Sequence, residues 1–323
     1  MIHPKIPLTV GIKTRYKLIA INAKTGKERE LSGWSPNVLL TSGRNELANR
    51  DWFTHVQLGT DSTVASSGQT ALLGFVAGTN TVYDDTWNAA PAAPYYGWRR
   101  KRFRFAVGSG LANQNLNEVG IGWSSAGGDT IATRALIVDL DGVQTSATPL
   151  PDEIVDVVVE VRYYPPLGDS TGTVVLNGVT YNYTVRAANV TSSTAWGANI
   201  GRKIASSAGN NSDWSAFDND IGTLETSPNG LSVPSDNSLD YTNAYQNNSY
   251  QIVFGMTAGP GVADTSGWYV TTGKLCRSIR FKTTAGWYQV QFDSQASPGN
   301  GVPKDETFTF TLQAVLGWDE AVV

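Results

Sequence analysis

Four stretches in the first half of the chain decide the fold class: VQLGT at 56–60, NEVGIGW at 117–123, TRALIVD at 133–139 and IVDVVVEVRYY at 154–164. They are rich in β-branched and apolar residues, and the segments between them are rich in Gly, Ser, Thr, Asn and Asp. Such patterns favour strands joined by turns and loops. The chain is therefore predicted to have an all-β fold.

Chain length sets the predicted number of domains. The chain has 323 residues, of which 41% are hydrophobic and 16% are charged, a composition typical of packed proteins. Single cores stop growing at about 250–300 residues, and the Pro165-Pro166 pair interrupts the strand pattern. We expect two β-sandwich-like domains, residues 1–166 with a hairpin, one short helix and a long loop, and residues 167–323 with a long polar insertion.

Turn residues predict the local elements. Gly26 suits a hairpin between residues 16–22 and 27–34, and Asn177-Gly178 is a strong signal for a two-residue hairpin turn. A short helix is expected over 44–50, capped by a hydroxyl of the preceding Thr41-Ser42-Gly43. Residues 61–97 are expected to be a long loop, and 206–248 a surface loop or a set of short turns. Further strands are predicted near 100–106, 118–123, 132–139, 153–163, 250–256, 268–272, 278–283, 287–292 and 307–316.

One basic cluster stands out in the segment RRKRFRF at 99–105. In a strand, alternation places Arg102 and Arg104, and with them Arg100, on one face, while Phe103 and Phe105 lie on the other. Because edge strands often carry charge, we expect an edge or interface strand whose arginines are solvated or paired across chains. An anionic ligand is the alternative.

Charge and cysteine content exclude several classes. The net charge of −4 gives no basis for nucleic-acid binding, which normally shows as a basic surface. Cys276 is the only cysteine, so no disulfide within the chain is possible. No apolar run reaches the ~18 residues of a membrane span, and the N-terminal sequence lacks the apolar core of a signal peptide. We expect neither membrane insertion nor export by a signal peptide.

The sequence offers no catalytic or metal motif. His3 and His55 are the only histidines, and neither lies beside a Gly-x-Ser-x-Gly elbow. The oxygen donors of Asp218-Asn219-Asp220, with Asp213, lack the twelve-residue calcium loop and are better explained as Asx turns. No catalytic residue, cofactor or metal is predicted. A glycosidase would need two of the carboxylates at about 5–9 Å from each other; the candidates are Asp84, Asp85, Glu118, Asp139, Asp141 and Asp218.

Aromatic residues are the remaining functional signal, because the chain has ten tryptophans. Tryptophan and tyrosine stack on sugars, but they also anchor β-cores and subunit interfaces. The candidate contacts for a glycan or a partner protein are Trp87, Trp98, Trp214, Tyr241 and Tyr245.

The order of short motifs resembles a group of virion proteins of tailed bacteriophages. The motifs in the first half are LGT at 58–60, TAL at 70–72, NEVG at 117–120, RA at 134–135 and YP at 164–165. VPKD at 302–305, the following FTFTL strand at 308–312 and Trp318 resemble the closing strands of phage fibre, collar and baseplate proteins. The resemblance implies a structural part of a virion: a tail, baseplate, collar or fibre-attachment component.

The predicted function is non-enzymatic assembly. We expect a homo-oligomer that contacts other virion proteins, is assembled in the host cytoplasm and resides in the virion. Segments 61–97 and 206–248 are the expected contact arms. A receptor-binding module or adhesin that recognises bacterial surface polysaccharide is the alternative, and a glycan depolymerase is a third class for which the sequence offers no motif.

Overall fold

Strands dominate the computed structural model, which describes residues 5–204, 214–229, 232–233, 237–240, 245–258, 275–303 and 310–321. Strand accounts for 49% and helix for 4%, so the predicted all-β fold is confirmed. In chain order the elements are β1 (Lys5–Asn22), β2 (Glu28–Glu30), β3 (Ser35–Pro36), β4 (Val38–Leu39), α1 (Thr41–Glu46), β5 (His55–Gly59), β6 (Phe75–Thr79), β7 (Val82–Ala89), β8 (Gly97–Phe105), β9 (Glu118–Gly122), β10 (Ile131–Leu136), β11 (Glu153–Tyr164), β12 (Ser170–Leu176), β13 (Val179–Ala188), α2 (Ser193–Trp196), β14 (Trp214–Phe217), β15 (Ser232–Val233), β16 (Asn237–Asp240), β17 (Gln251–Ala258), β18 (Leu275–Cys276), β19 (Ser278–Thr283), β20 (Gly286–Ser294), β21 (Val302–Pro303) and β22 (Phe310–Glu320).

The main sheet is built around the long strand β1. Over the described residues its order is β16-β17-β22-β1-β11-β8-β7. On one side β1 pairs antiparallel with β11, from Gly11 opposite Tyr164 to Asn22 opposite Glu153. On its other side β1 pairs first with β22 in parallel, then with β3 and β2. Because β1 is long enough to pair with β11 along one side and with β22 along the other, the first and last described strands lie side by side.

Two further sheets and a small strand pair complete the described architecture. One has the order β4-β10-β9-β5-β6, another has the order β12-β13-β20-β19-β14-β15, and β18 pairs with β21. Buried residues of all three larger sheets belong to one contiguous apolar cluster. Within it Phe53 lies against Trp52 and Phe103, and Trp196 meets Tyr288 edge-on.

The domain division at 166/167 stays a prediction, and strands from both sides of this boundary pair in the main sheet. The main sheet takes β1, β7, β8 and β11 from one side of that boundary and β16, β17 and β22 from the other. The sheet of β12, β13, β19 and β20 lies wholly on the C-terminal side. The second half of the chain thus supplies both a sheet of its own and strands of the first sheet.

Both predicted hairpin turns are confirmed. Asn177 and Gly178 have φ values of 48° and 80° and connect β12 to β13, as a type I′ turn requires. Gly26, with φ of 70°, lies in the turn from β1 to β2. The alternation predicted for 99–105 is also correct, because Phe103 and Phe105 are buried while Arg102 and Arg104 are not.

Other local predictions need correction. The helix α1 begins at Thr41, three residues before the predicted start, and its N-cap residue Leu40 makes no side-chain cap. A second short helix, α2, is present. Segment 61–97 contains β6 and β7 instead of a continuous loop. The sequence pattern does not predict β7, because nearly all its side chains are exposed and it lacks the apolar alternation of a half-buried strand. The strand predicted over 268–272 lies outside the described residues.

Candidate interaction surface

The strand pair β7–β8 brings most of the sequence-predicted contact residues together. Trp98 and Arg100 follow each other on one face of β8, and the Arg100 guanidinium carbon lies 5.2 Å from the Trp98 ring centroid. We call this the outer face of the main sheet, because the alternate residues Phe103 and Phe105 point into the core. Trp87 pairs with Arg99 and lies on the opposite side of the sheet.

β8 is an interior strand, which corrects the prediction that it lies at an edge. It pairs with β11 on one side and with β7 on the other. Its three named arginines each pair with an acid of the same chain, and their pairing with another chain stays a prediction. Arg100 binds Glu160, whereas Arg102 and Arg104 both bind Asp156. A role of this surface as an interface stays a prediction.

The Glu160 cluster, formed by Glu160 with Arg15, Arg100 and Arg162, is the centre of the outer face. Nε of Arg15, Arg100 and Arg162 lies 2.9, 3.1 and 2.8 Å from the Glu160 carboxylate oxygens, and each guanidinium makes a further contact there through a second nitrogen. The Glu160 side chain is 2% exposed. Burial alone would raise its pKa, but hydrogen bonds from Arg100 and Arg162 and the charge of Arg15 outweigh burial, and the pKa is lowered.

Charge is unevenly distributed along the outer face. In the Glu160 cluster three guanidinium groups share one carboxylate, which leaves an excess of two positive charges. Farther along β8 the charges balance, because Arg102 and Arg104 are matched by Asp156 and Glu28. The excess is a local feature, since the whole chain carries a net charge of −4.

Arginines cover the aromatic rings of this face. The Arg15 guanidinium carbon lies 4.4 Å from the Trp34 ring centroid, and Arg162 lies 4.4 Å from that of Tyr96. Arg104 is 3.5 Å from the Tyr83 ring. Such cation–π contacts hold the charged groups and the rings in place.

A groove opens beside the Glu160 cluster, and we call it the Trp34 groove. It has a volume of about 230 Å³. Its lining includes Lys13, Arg15, Trp34, Glu160, Arg162 and Tyr164. None of these residues was singled out from the sequence as a contact residue, because they come from three distant segments. A signal was nevertheless present: Asp156 and Glu160 are isolated acids four positions apart in an otherwise apolar run opposite a basic strand.

In the part of the chain that the structure describes, β7 is an edge strand of the main sheet, and helix α2 packs near its C-terminal end, where Gly197 approaches the Asn88 backbone. Among the described residues, β8 is the only strand that pairs with it. Its side chains Val82, Tyr83 and Trp87 are 41%, 60% and 47% exposed. An edge strand that exposes apolar side chains and unpaired backbone groups is suited to pairing with another chain.

The other predicted aromatic contacts lie elsewhere. Tyr245 is half-buried: its hydroxyl donates to Asn45 Oδ1 at 2.7 Å, and its ring packs on Trp318 at 5.6 Å. This places Tyr245 against the core rather than in a free glycan surface. The Trp214 side chain and the whole of Tyr241 lie outside the described residues. Of these three side chains the structure describes only Tyr245, and it does not join Tyr245 to Trp87 and Trp98.

Three of the candidate catalytic groups have structural partners. Glu118 is fully buried and receives hydrogen bonds from Arg134 Nε at 2.7 Å and the Gly74 amide at 2.6 Å. Asp139 accepts the amides of Asp141 and Val143 and forms the turn predicted there. His55 Nδ1 lies 2.9 Å from the Thr54 hydroxyl, and burial, with the charge of Lys101, lowers its pKa.

In the described part of the chain, no group of three or more His, Cys, Asp or Glu side chains is arranged to hold a metal ion. A wide open cavity of about 740 Å³ lies beside Asp218, Asn219 and Asp220, where Arg277 Nε donates to Asp220 at 2.8 Å. Asp213 lies outside the described residues.

Comparison with known proteins gives no relative. No protein-family model, curated protein or solved structure matches the chain. None of the described helices has the length and apolar character needed to span a membrane. Function must therefore be argued from the surface itself.

Proposed function

We propose that this chain is a non-enzymatic structural component of a tailed-phage virion, in the tail, baseplate, collar or fibre attachment. It acts through contacts with copies of itself and with neighbouring virion proteins. The resemblance of its short motifs supports the virion class. The β7 edge, where no described strand other than β8 pairs, carries the assembly role, because exposed edges are normally protected in proteins that remain monomeric.

The mode of action is passive burial of surface. A second chain that pairs with β7 would satisfy its free backbone groups and cover Val82, Tyr83 and Trp87. Homo-oligomers usually have closed symmetry, and several equivalent contacts together give strong attachment even where each is weak. The charged outer face lies on the same sheet and offers a second contact surface.

The edge is tested by placing charge on it. In the variant Tyr83→Lys/Trp87→Lys, two lysines replace exposed rings, a substitution that natural edge strands use against association. The matched control is Val64→Lys/Leu140→Lys, which adds the same charge at side chains that are 72% and 73% exposed away from the edge. Sedimentation velocity should show an oligomer for the wild type and the control, and monomers for the edge variant. A wild type that stays monomeric at every concentration would contradict the proposal.

Glycan recognition is the second candidate, and the exposure of Trp87 favours it. Nearly half of this side chain is exposed, although the Arg99 guanidinium carbon lies 5.7 Å from its ring centroid, and the exposed part of the ring is the surface on which a sugar would stack. The coverage of Trp34 and Tyr96 by arginines argues the other way, because a ring stacked by a guanidinium has less surface free for a sugar. Binding of the intact chain to a bacterial glycan array, abolished by Trp87→Ala, would favour receptor recognition over assembly.

A further inference from the structure

We propose that the Trp34 groove is a docking site for an acidic segment of a neighbouring protein, whose carboxylates bind the Glu160 cluster. The inference rests on the proposed assembly function, because it names the partner chemistry at one of its contact surfaces. Three observations carry it: the local excess of positive charge, the fixed geometry of the arginines, and the shape of the groove.

The charge excess calls for an anion. Arg15, Arg100 and Arg162 converge on one carboxylate, so two positive charges have no counter-charge within the cluster. Their side chains remain 36%, 40% and 24% exposed, whereas Glu160 beneath them is 2% exposed. An incoming carboxylate therefore meets guanidinium groups first, and the acid that holds them in place is shielded from it.

The geometry is prepared before a partner arrives. Each guanidinium directs its Nε and one terminal nitrogen to Glu160. The remaining terminal nitrogen of each group is a donor that does not contact that carboxylate. Arg15 is also held against the Trp34 ring. Little side-chain entropy is lost on binding when the donors are already ordered.

The size and lining of the groove favour a protein segment over a small cofactor or a sugar. Its volume of about 230 Å³ lies below the roughly 300–1,000 Å³ of small-molecule sites. Its walls include Trp34, Tyr164 and two arginines, and Trp, Tyr and Arg are the types enriched at protein-interface hot spots. The Trp34 ring is already stacked by Arg15, which leaves less ring surface for a sugar.

Binding of a labelled hexaglutamate peptide to the full chain tests the inference by fluorescence anisotropy. Hexagalacturonate, which carries the same number of carboxylates on a sugar backbone, is the competing probe. The test variant is Arg15→Gln/Arg162→Gln, in which Arg100 still pairs with Glu160, so the buried carboxylate keeps a partner. The control Arg50→Gln/Arg186→Gln removes the same charge from ion pairs with Glu46 and Asp169 elsewhere.

We expect the test variant to bind hexaglutamate at least about tenfold more weakly, the loss expected for one charge-assisted hydrogen bond. The control should bind within about twofold of the wild type at matched salt, because Arg50 and Arg186 pair with Glu46 and Asp169 and supply no donor to the Glu160 cluster. Arg15→Lys/Arg162→Lys should restore part of the affinity, since it returns the charge without the planar donors. Urea unfolding of every variant confirms that each is folded.

The proposal is overturned if the wild type does not bind hexaglutamate, or if the test variant and the control bind it equally. It is also overturned if hexagalacturonate binds as tightly as hexaglutamate or more tightly. The outcome is separable from that of the proposed function. A chain that is monomeric and absent from phage particles but binds hexaglutamate through Arg15 and Arg162 would remove the virion role and leave the groove in place.

Discussion

Replacing Arg134 by Met should destabilise the fold more than any exposed charge substitution. Arg134 and Glu118 are both 0% exposed. The substitution leaves the Glu118 carboxylate buried with only the amides of Leu73 and Gly74 as donors, at 3.2 and 2.6 Å. Removing one partner of a buried ion pair costs about 3–5 kcal/mol. We expect the free energy of unfolding to fall by about that amount.

The same substitution should loosen segment 61–74. Arg134 Nη1 donates to the Thr63 carbonyl and to Gln69 Oε1, both at 2.9 Å. These bonds fasten the segment to the sheet that contains β9 and β10. Urea unfolding followed by tryptophan fluorescence gives the loss of stability. Hydrogen exchange at Leu73 and Gly74 should accelerate beyond what the global loss explains.

A double variant isolates the interaction between Arg134 and Glu118. In Arg134→Met/Glu118→Leu neither charge remains, and the double variant should be less destabilised than the sum of the single variants by about 0.5–3 kcal/mol. The control Glu30→Ala breaks the exposed Lys17–Glu30 pair and should cost no more than about 1 kcal/mol. A loss below about 1 kcal/mol for Arg134→Met would refute the reasoning.

Two further predictions concern the aromatic core. Gly286→Ala should lower the melting temperature strongly, because φ at Gly286 is 121° and a Cβ there would overlap the Trp196 ring. Gly68→Ala is the control in thermal unfolding, since no atom lies near its new Cβ. Equal melting temperatures of the two variants would contradict this account. Burial raises the pKa of Tyr163 to about 12 and that of Tyr288 further, because the folded state favours the neutral phenols. The contribution of these two tyrosines to the free energy of unfolding is therefore complete below pH 10 and falls as the pH rises above 10. Absorbance at 295 nm should show these tyrosines ionising together with alkaline unfolding, whereas ionisation in a chain that is still folded would be inconsistent with burial.

Sequence patterns predicted the elements whose cause is local. The turn at Asn177-Gly178 follows from backbone sterics, and the buried and exposed faces of β8 follow from strand alternation at Phe103 and Phe105. The strand β7 was missed because an exposed edge strand carries no periodic apolar signal. The helix start was misplaced because Leu40, not a hydroxyl residue, occupies the N-cap.

The surface depends on pairings that no local pattern encodes. Arg15 and Glu160 are 145 positions apart and meet only because β1 lies beside β11. The parallel pairing of β1 with β22 joins the two ends of the chain in the same way. Strand order and register decide which charges share a face. The sequence therefore indicated basic and aromatic residues on β8, but not the acid that organises them or the groove beside it.

Cryo-electron microscopy of purified phage particles tests the central claim most directly. The account predicts that this chain occupies a symmetric position between virion proteins, with the β7 edge covered by another chain and the Trp34 groove facing acidic side chains. A particle in which the chain is absent, or in which it forms a free tip with the β7 edge and the outer face exposed to solvent, would contradict it.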